Sequence, residues 1–193
     1  MSAYILKNQG FDITAVNCCF YKAENDSGES VRDAADVSAK IGIPFEVADL
    51  QKPFYDKVIK SFISTYINGG TPNPCIVCNK NLKFGLMLDI ALQKGFDFIA
   101  TGHYAKIEYS EKYNQYVLKK SNEEQKDQSY FLCQISNEQL NKAMFPLGDI
   151  DKPEVRRIAH ELELNIADKK DFLQGLSLLF GEVCHFVKAC NAF

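Results

Sequence analysis

The sequence lacks the features that would place it in a membrane, in a secretory pathway or in a common class of zinc protein. No apolar run approaches the length needed to cross a membrane, and Met1–Leu6 has no basic region followed by an apolar one, as a signal peptide would. The chain has no H-x-x-x-H and a single C-x-x-C, and its three histidines are scattered, so four ligands at zinc-site spacing are not apparent. We therefore expect a cytoplasmic protein without a membrane-spanning part.

Charge and cysteine content count against two further classes. A net charge of −3 over 193 residues is not that of a uniformly basic nucleic-acid-binding chain, although local basic patches can still matter. Seven cysteines are an odd number and do not follow the pattern of an extracellular disulfide framework. The length suits one domain of ordinary size, alone or with a small appendage.

The stretch Gly70–Phe84, GTPNPCIVCNKNLKF, contains the C-x-x-C. Two prolines precede Cys75 and Cys78, and proline fixes φ and interrupts helices and central strands, so we expect both thiols on a stiff loop ahead of a helix Leu82–Lys94. A thiol near a helix N-terminus is in the environment that favours the thiolate. By spacing alone, three interpretations stay open: reactive thiols, half of a metal site, or two buried small residues.

Helical and strand patterns alternate over the first hundred residues, which favours a parallel sheet with helices on both faces. The chain begins on a helix, so we expect the first strand of such a sheet, together with its following loop, to be missing. That gap would leave unpaired edges and make the protein marginally stable or prone to associate. The predicted elements are helix Met1–Gly10, strand Phe11–Tyr21, helix Ser30–Ile41, strand Pro44–Leu50, helix Phe54–Asn68, helix Leu82–Lys94 and strand Phe96–Ala100.

Beyond residue 104 the pattern changes. Ala105–Leu118 alternates around a polar turn and predicts a hairpin, and Ser136 with Gln139 resembles a capping box opening a helix Asn137–Met144. Pro153–Leu164 has a proline in its first turn and one apolar face, so it predicts a further helix.

Four motifs in order, TPNPCIVCNKNLKFG, ATGHYAKI, KDQSYFLCQIS and FPLGDIDKPEVRRIAHELEL, resemble the tRNA-specific 2-thiouridylase family over roughly residues 2–171. The resemblance implies an α/β fold: a partial doubly wound parallel sheet of the N-type ATP pyrophosphatase (adenine nucleotide alpha hydrolase-like) kind, then a small, mainly helical tRNA-binding region. It implies an incomplete pyrophosphatase-like domain over 1–110, the helical region over 111–171 and a divergent tail over 172–193. The family's activity is ATP-dependent adenylation of O2 of the wobble uridine, followed by sulfur transfer to C2 from a cysteine persulfide.

The resemblance assigns roles around the C-x-x-C. Cys78 matches the catalytic cysteine that attacks the persulfide or forms a disulfide with its carrier. Asn73, Pro74 and Cys75 match the residues that contact the target base. Some members of the C-x-x-C kind hold an iron–sulfur cluster, which would need a third thiolate. A metal site built from Cys75 and Cys78 with Cys184 or Cys190 is the weaker reading.

The other motifs supply nucleotide and RNA contacts. Gly102 and Cys18 match ATP-contacting positions, and His103 matches a tRNA-facing one, while Lys126, Asp127 and Gln128 match a tRNA-contacting KDQ. Structural interpretations stay open beside these: a hydrogen-bonded His103 at a strand end, a solvated turn at Lys126-Asp127, and buried small residues at Cys18 and Cys19. Expected partners are tRNA of the Lys, Glu and Gln type, ATP with Mg²⁺, and a protein that donates persulfide sulfur.

Two departures from the family pattern concern catalysis. A Ser-Gly-Gly-Val-Asp-Ser-Ser nucleotide loop is absent before Ser2, so we expect ATP binding to be lost or severely weakened. Ser177 stands about where the family has its persulfide-bearing cysteine. We therefore expect a tRNA 2-thiouridylase fragment that is inactive alone; the alternative is a non-enzymatic tRNA-binding or sulfur-carrying module.

Overall fold

The computed structural model describes residues 1–21, 28–164 and 182–189, and within them no helix combines the length and apolar character needed to span a membrane. Ser177, which stands about where the family has its persulfide-bearing cysteine, and Cys190, a candidate metal ligand, lie outside these ranges, as does most of the predicted tail. The described helices are α1 (Ser2–Asn8), α2 (Glu29–Ile41), α3 (51–67), α4 (74–93), α5 (Asn137–Leu140) and α6 (Lys152–Glu161). The strands are β1 (Asp12–Cys19), β2 (Phe45–Asp49), β3 (Phe98–Ala100), β4 (Ala105–Ser110), β5 (Gln115–Lys120), β6 (Ala143–Met144) and β7 (Glu182–Lys188).

Five strands form the main sheet in the order β2-β1-β7-β3-β6, and β4 pairs with β5 in a separate hairpin. β1 is buried at six consecutive positions, as expected of a strand covered on both faces. α2 ends at Gly42, whose φ of 71° is the left-handed conformation of a helix C-terminus. The predicted α/β architecture with helices against a central sheet is confirmed.

The sheet is mixed rather than parallel. The prediction of an unfilled strand position in the sheet is wrong, because β7 lies between β1 and β3. β7, from the tail, lies between β1 and β3 and runs antiparallel to both, with Cys184 opposite Val16 and Phe186 opposite Ile99. The remaining pairs, β1 with β2 and β3 with β6, are parallel. The physical reason is that residues 184–187, three of them apolar, are buried on both faces of the sheet, so the segment can occupy a central position.

Side chains of β7 alternate between the two faces of the sheet. Cys184 and Phe186 join the larger apolar cluster, where the Phe186 ring lies 5.3 Å from that of Phe96. Val187 joins a smaller cluster under α1, with Leu6 and Ile13. The tail strand therefore contributes to the core on both sides.

Past residue 104, the predicted hairpin is confirmed as β4 and β5. Gly148 allows the start of β4 to pack closely against the backbone at residue 148, because a Cβ there would lie 2.1 Å from the backbone oxygen of Ala105. The capping box at Ser136 and Gln139 is present, but α5 is only four residues long and the chain continues into β6 of the main sheet. Residues 111–164 therefore combine β5, two short 3-10 turns, α5, β6 and α6.

Candidate functional site

The C-x-x-C lies in the first turns of α4, not on the loop that we expected. Asn73 is the N-cap, and its side-chain oxygen accepts a hydrogen bond of 3.3 Å from the backbone N–H of Ile76. Pro74 occupies the first helical turn, where a missing N–H costs nothing. The prolines therefore start the helix rather than exclude it, and Cys75 and Cys78 are held near its positive end.

The two thiols differ in accessibility. Cys78 is fully buried in the larger core cluster, while Cys75 is half-buried and packs against the edge of that cluster. The turn Ser129–Leu132, which directly follows the KDQ motif, contacts the cysteine turn of α4. The fold thus brings two of the four sequence motifs together.

After Cys78, α4 winds as a π-helix over Asn79–Met87 and returns to α-helical geometry at Leu88. The wider π turn is uncommon and often marks a functional position. Two polar residues one turn apart in this segment are buried: Asn79, 2% exposed, and Lys83, 3% exposed. The Asn79 amide donates to the backbone oxygen of Phe131 at 3.0 Å, and its side-chain oxygen has no hydrogen-bond partner.

His103 follows β3 at the carboxyl edge of the sheet. Its ring packs between Phe84 and Phe145, with ring centroids 6.0 and 5.9 Å away, and its Nδ1 is hydrogen-bonded to the Thr101 hydroxyl at 2.7 Å. Burial, and then the positive charge of Lys83, holds the pKa of His103 well below its ordinary value of 6.5. The imidazole is therefore neutral at physiological pH, able to exchange hydrogen bonds but not to act as a cation.

The KDQ motif is anchored to the same place. Gln128 exchanges two hydrogen bonds with the backbone of Tyr104, accepting from its N–H at 3.0 Å and donating its own N–H to the Tyr104 oxygen at 2.8 Å. The Asp127 carboxylate accepts from the Ser121 backbone at 2.9 Å and from the Ser129 hydroxyl at 2.6 Å, so it fixes the turn. Lys126 is half-buried in the preceding 3-10 turn.

Gly102, His103 and Gln128 line one cavity of about 250 Å³ together with Thr101 and Val183. Three predicted site residues from two motifs thus meet, and a tail residue completes the wall. Sequence reasoning missed Thr101, Asn79 and Lys83, although all three lie within quoted motifs. The i,i+4 spacing of Asn79 and Lys83 in a run that includes Leu82 and Phe84 was the available signal.

Cys18 does not reach this cavity. It is fully buried in β1, and its sulfur lies 3.9 Å from that of Cys184 on β7. Where an ATP contact was predicted, the structure shows an internal thiol contact between two core strands. Within the described ranges no cluster of three or more His, Cys, Asp or Glu side chains is placed to hold a metal ion.

A family model described as "tRNA methyl transferase HUP domain" matches residues 1–179 of this sequence. This chain belongs to that family. The resemblance predicted from four motifs is confirmed by curated relatives named tRNA-specific 2-thiouridylase MnmA. The relative from Pediococcus pentosaceus is 44% identical over 174 residues, covering 88% of this chain and 46% of its own length.

Further curated relatives with the same name match most of this chain. MnmA from Clostridioides difficile is 41% identical over 196 residues, covering 97% of this chain and 54% of its own length. MnmA 2 from a Thermoanaerobacter species is 41% identical over 188 residues, covering 89% of this chain and 50% of its own length. The chain thus spans about half the length of these curated family members.

Proposed function

We propose that this protein serves in tRNA 2-thiolation, as the part of a 2-thiouridylase that receives the wobble uridine and presents the catalytic thiol. The reaction is ATP-dependent adenylation of O2 followed by sulfur transfer to C2. The observation that carries the proposal is the C-x-x-C in the first turns of α4, capped by Asn73, in a chain whose relatives at 41–45% identity are named 2-thiouridylases.

In this proposal Asn73, Pro74 and Cys75 contact the target base, and Cys78 is the nucleophile. Cys75 is the more accessible thiol, and Cys78 is covered by core side chains. The outer sulfur of the carrier's persulfide first attacks C2 of the adenylated uridine, which forms the C–S bond and expels AMP together with O2. The Cys78 thiolate then forms an S–S bond with the carrier's inner sulfur, the bond between the two persulfide sulfurs breaks, and its electron pair stays on the outer sulfur, which is now the 2-thio group. Because Cys78 is buried, this step requires the first turn of α4 to open.

The tRNA contacts follow from the cavity at the end of β3. His103 is neutral there, so we propose that it donates or accepts a hydrogen bond rather than pairing with phosphate. Gln128 lines the same cavity, while Asp127 orders the turn that carries Lys126. The RNA-contacting role of Lys126, a cation, would be to pair with a phosphate.

ATP fits these residues only in part. Gly102 is exposed on the cavity, whereas the Cys18 side chain is fully buried in β1 beside β7 and does not line the cavity. We therefore infer that the isolated chain does not adenylate tRNA. Mg²⁺ would accompany ATP only where the missing nucleotide contacts are supplied. An iron–sulfur cluster would need a third thiolate near Cys75 and Cys78, and the described residues supply no such cluster of ligands.

A trapping experiment tests the proposal without requiring turnover. We would incubate the chain with a tRNA of the Lys, Glu or Gln type whose wobble base carries a 2-thio group activated as a disulfide. The expected result is a mixed disulfide at Cys75 or Cys78, competed by unmodified tRNA and lost in the Cys75→Ser/Cys78→Ser variant.

The exposed thiol of Cys133 is the matched control within the chain. Labelling of Cys133 alone, or labelling that unmodified tRNA does not compete, would contradict the proposed base-receiving role. Release of 2-thiolated tRNA by the isolated chain with ATP and a persulfide donor would contradict its proposed inactivity.

A further inference from the structure

Helix α3 presents a solvent-exposed face on which large apolar side chains alternate with lysines. Tyr55, Ile63, Tyr66 and Ile67 are 54%, 46%, 58% and 78% exposed, which is unusual for four large side chains of one helix. Lys52 and Lys60 lie beside them, and the Lys60 ammonium stands 5.6 Å from the Tyr55 ring centroid. We call these six residues the α3 face.

The face lies in a segment whose charge is opposite to that of the whole chain. Between Asp49 and Asp89 there are five lysines and one carboxylate, a charge of +4, whereas the complete chain carries −3. The single carboxylate, Asp56, accepts from Lys52 at 2.8 Å and from Lys60 at 2.7 Å, so it holds two ammonium groups on one side of the helix. Such a concentration of positive charge favours a polyanionic partner.

The α3 face is also joined to the C-x-x-C. The segment Tyr55–Ile59 contacts the cysteine turn Pro74–Cys78, and the connection between the helices is short and fixed by a 2.9 Å hydrogen bond from the Gly70 N–H to the Thr65 oxygen. A strand of RNA whose base reached Asn73 and Cys75 would therefore run onto this helix.

We propose that the α3 face is an RNA-docking surface, where lysines neutralise phosphates and the two tyrosines stack on unpaired bases next to the target uridine. Stacking on tyrosine and pairing with lysine together are the usual means of binding unpaired RNA. The inference rests on the proposed function and adds to it the part of the chain that holds the flanking nucleotides.

The test measures the affinity of the chain for a tRNA transcript over a series of salt concentrations. In Lys52→Gln/Lys60→Gln, loss of two phosphate contacts should make the slope of log K against log salt shallower by roughly 1.4 to 1.8. Tyr66→Ala should weaken binding by roughly 5- to 150-fold, the effect of losing one stacked base.

Asp56→Asn supplies a prediction of opposite sign. Removing this carboxylate frees both lysines and removes repulsion of phosphate, so binding should tighten and the salt slope should steepen. General damage to the fold would weaken binding instead, so a tighter complex distinguishes the electrostatic role from a structural one.

The β4–β5 hairpin provides a matched control, because it too carries lysines and exposed tyrosines, with Lys112 placed 5.1 Å from the Tyr113 ring centroid. Lys112→Gln/Lys119→Gln and Tyr113→Ala should leave affinity and slope unchanged. If the hairpin variants lose tRNA binding and the α3 variants do not, the α3 face is not the RNA-docking surface, although the chain still binds RNA.

If the unaltered chain binds no tRNA at low salt, both the surface and the proposed function fail. If the α3 variants instead abolish self-association in sedimentation and leave RNA binding unchanged, the face is an interface between copies of this chain, and the proposal is overturned.

Discussion

Lys83 is a buried cation beside a histidine, and its consequence is electrostatic. The ammonium group lies in the core next to His103, whose ring is enclosed by two phenylalanines, so both burial and a like charge oppose protonation of the imidazole. Both effects favour the neutral imidazole at the end of β3. That arrangement keeps His103 a hydrogen-bonding group over the whole physiological range.

Lys83→Met should raise the pKa of His103, because it removes the positive charge while keeping most of the side chain's volume. The pKa should stay below 6.5, since burial is the larger cause and remains. Titration of the imidazole resonances by NMR would measure the shift, with His160 on α6 as the internal control. An unchanged His103 titration would show that Lys83 does not control its protonation.

The cysteine residues show where residue-level reasoning succeeded and where it did not. The catalytic role of Cys78 and the base contacts of Asn73, Pro74 and Cys75 stay predictions from the motif. Their placement on a loop was wrong, because proline after an N-cap asparagine begins a helix. The burial of Cys78 depends on core side chains far along the chain, which no local pattern contains.

Among the elements, β7 carries a titratable group into the core. His185 is 8% exposed, its Nδ1 has no hydrogen-bond partner, and burial, together with the charge of the amino terminus, lowers its pKa from 6.5 to about 4. The unfolded chain therefore binds more protons than the folded one between these two pH values.

The contribution of His185 to stability should be fully present above pH 6.5 and should be lost as the pH drops towards 4, by roughly 3 kcal/mol, and the lowered pKa of His103 adds a loss of the same sign. Urea unfolding measured at several pH values would reveal the slope. His185→Leu should make the slope shallower without abolishing it, since the contribution of His103 remains, whereas His160→Gln, a substitution at an exposed position of α6, should leave it unchanged. A slope that persists unchanged in His185→Leu would assign the effect to other groups.

The element β7 was also missed by the sequence reasoning. Val183, Cys184, Phe186 and Val187 form an apolar run of the kind found in buried strands, interrupted only by His185. The family resemblance ended before this run, so no strand was predicted there. Antiparallel insertion between two strands is set by long-range packing, which local periodicity does not encode.

For the whole molecule, the mixed sheet means that the described part of the tail, residues 182–189, belongs to the central sheet. β7 pairs with β1 over seven residues and with β3 over three. We expect the folded chain to be cooperative as long as β7 is in place, in contrast to the marginal stability predicted for a sheet with a gap.

Val187→Asp should abolish cooperative unfolding or cause association, because it places an unpaired carboxylate at a fully buried position of β7. Val47→Asp makes the same change on β2 at a position that is 52% exposed and should have little effect. Thermal melts and sedimentation would compare the two. Equal stability of both variants would mean that β7 is not required for the folded core.

The place of β7 has a consequence for synthesis on the ribosome. Its partners in β1, such as Asp12 opposite Lys188, lie about 170 residues earlier in the chain. Contact order of this kind slows folding, since loop-closure entropy is lost before the pairing is gained. During translation β1 and β3 emerge without the strand that joins them, and the nascent chain exposes their apolar faces until residues 182–188 have also emerged. This protein is therefore most exposed to chaperones and to aggregation between the synthesis of β3 and that of β7.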